Sequence, residues 1–130
     1  MLNRFVPRAL GVLLLCLAVL VAGCSSGGTG GDAPDWAHGM ATVQVGRLPA
    51  EARRTLERID DGGPFPYGKD GAVFGNFERE LPRRARGYYH EYTVRTPGER
   101  DRGARRIVTG SGGEIYYTDD HYASFKAVLR

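Results

Sequence analysis

The run Tyr88-Tyr-His-Glu-Tyr-Thr-Val94 decides the fold. Three tyrosines, a threonine and a valine in seven residues are strong strand material. Side chains alternate between the faces of a strand, so Tyr89, Glu91 and Thr93 share one face and His90 and Tyr92 the other. Toward the C-terminus, residues 95–103 read as a polar turn and 105–109 (Arg-Arg-Ile-Val-Thr) as the next strand. Gly110-Ser-Gly-Gly113 is a hairpin turn and Ile115-Tyr-Tyr-Thr118 a further strand. Asp119-Asp120 makes a tight turn before a last strand expected from Tyr122 to Leu129. Toward the N-terminus, residues 65–75 form a structured loop rich in Gly, Pro and aromatics, with Ala72-Val-Phe74 as a short strand. Before it, Pro49 opens a helix, Glu51 favours its positive end, and Ala52, Leu56 and Ile59 recur at helical spacing. Gly62-Gly63-Pro64 stops that helix. Ala41-Thr-Val-Gln-Val45 is a candidate first strand. One helix followed by hairpin-linked strands predicts an α+β fold, with the helix on one face of an antiparallel sheet.

The first 39 residues lie outside that pattern. Arg4 and Arg8 precede the apolar run Leu10–Ala22, about 13 residues, where a spanning helix needs roughly 20. Residues 1–24 therefore read as an export signal. Val21-Ala22-Gly23-Cys24 resembles a bacterial lipobox, which would lipidate Cys24. An ordinary cleavage site with an incidental cysteine is the alternative, and the position of Cys24 favours the lipoprotein. Residues 25–39 begin with a Gly/Ser-rich stretch and read as a tether. The folded domain is expected over residues 40–130. Its two candidate cysteines, Cys16 and Cys24, both precede it, which excludes an internal disulfide and cysteine-based zinc sites.

From Met40 onward there are 16 basic and 13 acidic residues, and only Lys69 and Lys126 among the basic ones are lysines. Arginine grips phosphate and carboxylate through paired hydrogen bonds, so the balance tilts toward an anionic partner. Strand alternation can bring Glu91 and Arg106 to one side of the sheet, as an ion pair or as the start of an anion site. Taken alone, the ion pair is the commoner outcome. His121 stands in a turn, where a scaffold presents functional groups, and its side chain titrates nearest to neutral pH. His38 belongs to the tether edge, and His90 faces away from Glu91.

These residues carry a resemblance. The segments Asp61–Tyr67, Asp70–Asn76, Glu78 with Leu81-Pro82, Gly87–Val94, Thr96–Gly98, Arg102-Gly103, Arg105–Ile107 and Tyr116–Tyr122 resemble, in order, the small secreted guanyl-specific microbial ribonucleases, the family of barnase, in its actinomycete-type branch. The resemblance implies the α+β fold already reached and cleavage of single-stranded RNA 3′ of G through a 2′,3′-cyclic phosphate. It implies Glu91 as general base, His121 as general acid, and Arg102 and Arg106 as phosphate holders, with Tyr122 touching the phosphate. Glu78 is implied to accept from guanine N1–H and its amine, Asn76 and nearby backbone N–H groups to serve O6, and Phe74 to stack on the base. No cofactor and no metal are implied.

Two departures matter. Gly75 and Phe77 stand where relatives carry polar or charged side chains. The branch's disulfide is missing, since Gln44 occupies one of its positions. A bridge is typically worth about 2–4 kcal/mol, so a lower unfolding free energy than that of bridged relatives is expected. The rival functions are a non-catalytic tethered RNA- or inhibitor-binding module, which would have lost its base or acid, and a structural or adhesion module, which only the tether supports. Implied partners are single-stranded RNA, an acidic barstar-like inhibitor in the producing cell, and a membrane reached only through a lipid on Cys24. A monomer is the default.

Overall fold

A computed structural model describes residues 33–130. The signal and lipobox readings at residues 1–24 lie outside them. The elements are β1 (Thr42–Gln44), α1 (Ala50–Asp61), β2 (Ala72–Val73), β3 (Tyr89–Thr93), β4 (Arg106–Gly110), β5 (Ile115–Thr118) and β6 (Lys126–Leu129). They form one six-stranded sheet in the order β1-β6-β5-β4-β3-β2. The pairs from β2 through β6 are antiparallel, and β1 adds one parallel pair at the β6 edge. The sheet is thus mixed by one short strand. A three-residue strand leaves too weak a pattern to reveal its direction.

Helix α1 begins one residue later than read, with Pro49 flanking it. At its end Gly62 adopts φ +79°, a left-handed conformation that costs glycine no Cβ clash. The Gly63 N–H then reaches back to the Arg58 carbonyl at 2.8 Å. The helix lays Ala52 and Leu56 on the sheet with Leu48, Val94, Ile107, Ile115, Tyr117 and Val128. Burying a side chain such as Leu56 stabilises by about 1.5–3 kcal/mol relative to leaving it in water.

The opposite face carries a second cluster, mostly aromatic: Leu81, Tyr89, Val108, Tyr116, Phe125 and Ala127, with Ala37. Alternation along β4 and β5 explains the division, since Ile107 and Tyr117 point to the helix and Val108 and Tyr116 away from it. Ala37 revises the boundary at residue 40. Residues Asp35–Ala37 form a 3₁₀ turn, Ala37 is buried, and the Trp36 ring stands edge-on to Tyr116 at 5.4 Å. The end of the segment read as tether is folded because Trp36 supplies an apolar body large enough to dock.

The last strand is also shorter than the expected Tyr122–Leu129. Residues 119–125 form a loop instead. His121 and Tyr122 take φ of +57° and +74°, which no strand accommodates. Asp120 organises the loop by accepting from the Thr118 hydroxyl at 2.8 Å, the Ser124 N–H at 2.9 Å and the Ser124 hydroxyl.

Candidate active site

The site is built on the face without the helix. In the register, Glu91 lies opposite Val108, and Thr93 opposite Arg106, so Glu91 and Arg106 share this face as expected. They do not form an ion pair. The Tyr122 hydroxyl stands between them, accepting from Arg106 Nε at 3.1 Å and donating to Glu91 Oε1 at 3.0 Å. Burial, reinforced by the Glu91 charge, raises the Tyr122 pKa and keeps this hydroxyl protonated. The ion pair to Glu91 comes from Arg102, whose Nη2 lies 3.3 Å from Oε1. Arg102 is held in turn by Nε donating to the Thr93 hydroxyl at 3.0 Å.

Arg106 is 2% exposed. Its Nη1 donates to the carbonyls of Arg105 at 2.8 Å, Gly103 at 3.0 Å and Arg102 at 3.3 Å. Among the described residues it has no carboxylate within ion-pair distance. A buried guanidinium held by neutral oxygens keeps its charge uncompensated, and an anion arriving beside it would be strongly favoured. This burial is the feature sequence reasoning missed, because an arginine in a strand reads as solvent-facing.

His121 is exposed. Its left-handed backbone is fixed by its N–H donating to the Ala104 carbonyl at 2.9 Å, in the loop that precedes Arg106. Its ring lies against Tyr122 with centroids 4.9 Å apart.

Glu91 and Tyr122 also wall a cleft of 220 Å³ together with Val73, Phe74, Gly75, Asn76, Phe77, Glu78, Glu80 and Phe125. Phe74 stacks on Tyr122 at 5.2 Å and meets Phe125 edge-on at 5.9 Å, so its ring is fixed as a cleft wall. Glu78 is exposed and has no hydrogen-bond or ion-pair partner among the described residues. The Asn76 side chain is engaged within its own loop. It donates to the Leu81 carbonyl at 2.9 Å and accepts the Leu81 N–H at 3.1 Å. The amide therefore braces the loop in its left-handed turn (φ +55°), and the N–H groups of residues 75–78 have no backbone acceptor among the described residues. The Phe77 ring is 85% exposed and folds back over Gly75, where an added Cβ would meet it at 2.5 Å. The two departures noted in the sequence are thus one packed pair.

Residues 32–129 match the family model described as ribonuclease. The chain belongs to this ribonuclease family. It is 56% identical over 91 residues to guanyl-specific ribonuclease St of Saccharopolyspora erythraea, covering 70% of this chain and 90% of the relative. Guanyl-specific ribonuclease Sa of Kitasatospora aureofaciens is 57% identical over 88 residues, covering 67% and 92%. Among solved structures, ribonuclease Sa2 with guanosine-2′-cyclophosphate superposes with a TM-score of 0.67 at 51% identity, covering 69% of this chain and 96% of that one. A second Sa2 structure, with 3′-GMP, gives 0.65 at 49%, covering 69% and 97%. The fold is therefore the α+β microbial ribonuclease fold, and the chain is a guanyl-specific ribonuclease homologue.

Of the residues singled out in sequence, Phe74, Asn76, Glu78, Glu91 and Tyr122 meet in the cleft. Arg102 joins through Glu91, Arg106 through Tyr122, and His121 through the Tyr122 ring. Cys24 lies outside the described residues. Glu80 and Phe125 line the cleft without having been singled out. Asp70 was quoted only within a matching segment. Its carboxylate accepts the Thr93 N–H at 2.7 Å and the Tyr67 N–H at 3.1 Å, and so ties the aromatic loop to β3.

Proposed function

We propose that this chain cleaves single-stranded RNA on the 3′ side of guanosine, with Glu91 and His121 as its acid–base pair. The observation that carries the reading is the continuity of the cleft. A carboxylate without a partner among the described residues, Glu78, and a fixed aromatic wall, Phe74, open directly onto Glu91 and Tyr122. Guanine offers N1–H and an amine to the carboxylate. Adenine offers an acceptor at N1 and no 2-amino group, and sites built on such bonds reject the analogue that lacks them. The unstacked base lies against Phe74, as bases do on aromatic side chains. Backbone N–H groups of the 74–78 loop serve O6, with the Asn76 side chain holding their geometry.

Glu91 removes the 2′-OH proton, the 2′-oxygen attacks phosphorus, and His121 protonates the departing 5′-oxygen. The product is a 2′,3′-cyclic phosphate, which water opens to a 3′-phosphate with the roles reversed. Each such proton transfer contributes about 10²–10⁴-fold. Arg102 and Arg106 hold the phosphate and offset charge developing on its oxygens. Tyr122 touches the same phosphate and passes hydrogen bonds between Arg106 and Glu91. A short RNA holding one G, beside copies with A or 2′-deoxyguanosine at that position, tests the reading. Cleavage only at riboguanosine, slowed by about 10²–10⁴-fold in Glu91→Gln, supports it. No cleavage by the folded domain sinks it in favour of a binding module.

Outside the domain, the reading is export by residues 1–24 and lipidation of Cys24 on the outer face of the cytoplasmic membrane. Mass spectrometry of the mature N-terminus tests this, and an unmodified Cys24 refutes it. A ribonuclease endangers its own cell, so an acidic barstar-like inhibitor is the proposed cytoplasmic partner. Pull-down from the producing cell without an acidic protein would count against it.

A further inference from the structure

We infer that a second anion site, formed by Arg54, Arg58 and Arg95, takes a phosphate of the RNA chain beyond the one being cleaved. The inference rests on the ribonuclease reading above. Arg54 and Arg58 stand four residues apart on α1 and so share one side of the helix. Arg95 follows β3, and Pro66 and Tyr67 of the aromatic loop complete the lining. Together they line a 160 Å³ pocket at the junction of helix, strand end and loop. Among the described residues, none of the three guanidiniums forms an ion pair or a side-chain hydrogen bond. Glu51 also lines the pocket and offsets one of the three positive charges, yet it is not within ion-pair distance of any of them. Three like charges gathered around one small cavity repel each other, and a bound anion relieves that repulsion.

The size of the pocket selects the ligand. Sites for whole organic ligands run to about 300–1,000 Å³, so 160 Å³ suits one small anionic group. Arginine forks match phosphate oxygens. Position selects the source of that phosphate. Thr93 lines the pocket, and its hydroxyl also accepts from Arg102, which contacts Glu91. One residue of β3 therefore separates this pocket from the arginine beside the general base. Arg102 and Arg106 serve the face without the helix and this pocket opens on the helix side, so an RNA strand held at both passes round the end of β3 between Thr93 and Arg95. The site adds affinity for long RNA and gives nothing to a dinucleotide.

The test is binding of RNA that cannot be cut, with 2′-deoxyguanosine at its single G, as a ten-nucleotide strand and as a dinucleotide. The protein is the full domain, either unaltered or carrying R54Q, R58Q and R95Q together. At low salt the triple variant binds the ten-mer about tenfold more weakly, since exposed ion pairs contribute about 0.2–1 kcal/mol each. Its dinucleotide affinity is unchanged. The slope of log affinity against log salt for the ten-mer falls by about 0.7, the value for one single-strand phosphate. Equal weakening for both lengths, or none for either, overturns the inference. R95Q alone, with its melting curve, separates lost contacts from lost folding. Cleavage of a riboguanosine dinucleotide by the unaltered domain scores the ribonuclease reading separately, because length dependence of binding does not require chemistry.

Discussion

The two faces of the sheet are built to different rules. Under the helix the core is apolar from Leu48 through Val128, and the one buried polar side chain among the described residues is Thr55, whose hydroxyl is satisfied by the Glu51 carbonyl. On the other face the sheet buries Thr93, Arg106, Glu114 and Thr118 among its tyrosines. Buried polar groups stabilise little and cost much if left unpaired. The first face holds the domain together, and the second accepts a less favourable interior that keeps charge and hydroxyls fixed beside the cleft. A protein this small can do so because the two cores share strands but not side chains.

That division can be broken from either side. Glu91→Gln keeps the shape and the bond to Tyr122, so it should lower kcat/KM by about 10²–10⁴-fold with an unchanged melting temperature. Leu56→Ala should do the reverse. It opens a cavity under the helix and lowers the unfolding free energy by about 2–5 kcal/mol in denaturant titration, while the folded fraction keeps its kcat. Arg106→Met sharpens the contrast. On the proposed role in holding the phosphate, losing this fixed charge should reduce kcat by about 10²–10³-fold. An uncompensated buried charge contributes little to stability, so the unfolding free energy should change by less than about 2 kcal/mol. A larger loss would mean that Arg106 is chiefly structural, bracing the 102–105 carbonyls. Phe77→Ala removes an exposed ring that lines the cleft and should raise KM for G-containing RNA by several-fold at unchanged kcat.

The smallest effect concerns the loop that carries His121. Hydrogen bonds from Ser124, with Thr118 adding to them, lower the Asp120 pKa from 3.8 to about 2. A carboxylate held low in the folded state stabilises it above its ordinary pKa and loses that contribution as pH falls through the folded value. Between pH 4 and 2, the unaltered domain should therefore lose stability faster than Asp120→Asn, and the two melting curves should converge near pH 2.

Much of this was legible in the sequence. The helix and its glycine stop, β3 to β5, and the shared face of Glu91 and Arg106 follow from periodicity and turn residues. The site residues were legible only because the family resemblance gave them roles. Three things were hidden for physical reasons. Asp120 turns 119–125 into a loop through side-chain hydrogen bonds, which hydrophobic alternation does not register. Trp36 folds a segment whose neighbours all read as linker. Asn76 spends its amide on Leu81, and an amide looks the same in sequence whether it faces substrate or its own loop.

The docking of Trp36 gives the molecule a polarity. Its ring rests on Tyr116, in the cluster that also holds Phe125 and packs Phe74. Arg130, at the other end, is paired with Asp60 on the helix. The two ends of the domain are thus fastened to opposite sides of the sheet. Cargo fused ahead of residue 34 would leave from the side of the sheet that carries the cleft and would shade it. Cargo fused after Arg130 would trail behind the helix, which makes that end the better handle for immobilising a working enzyme.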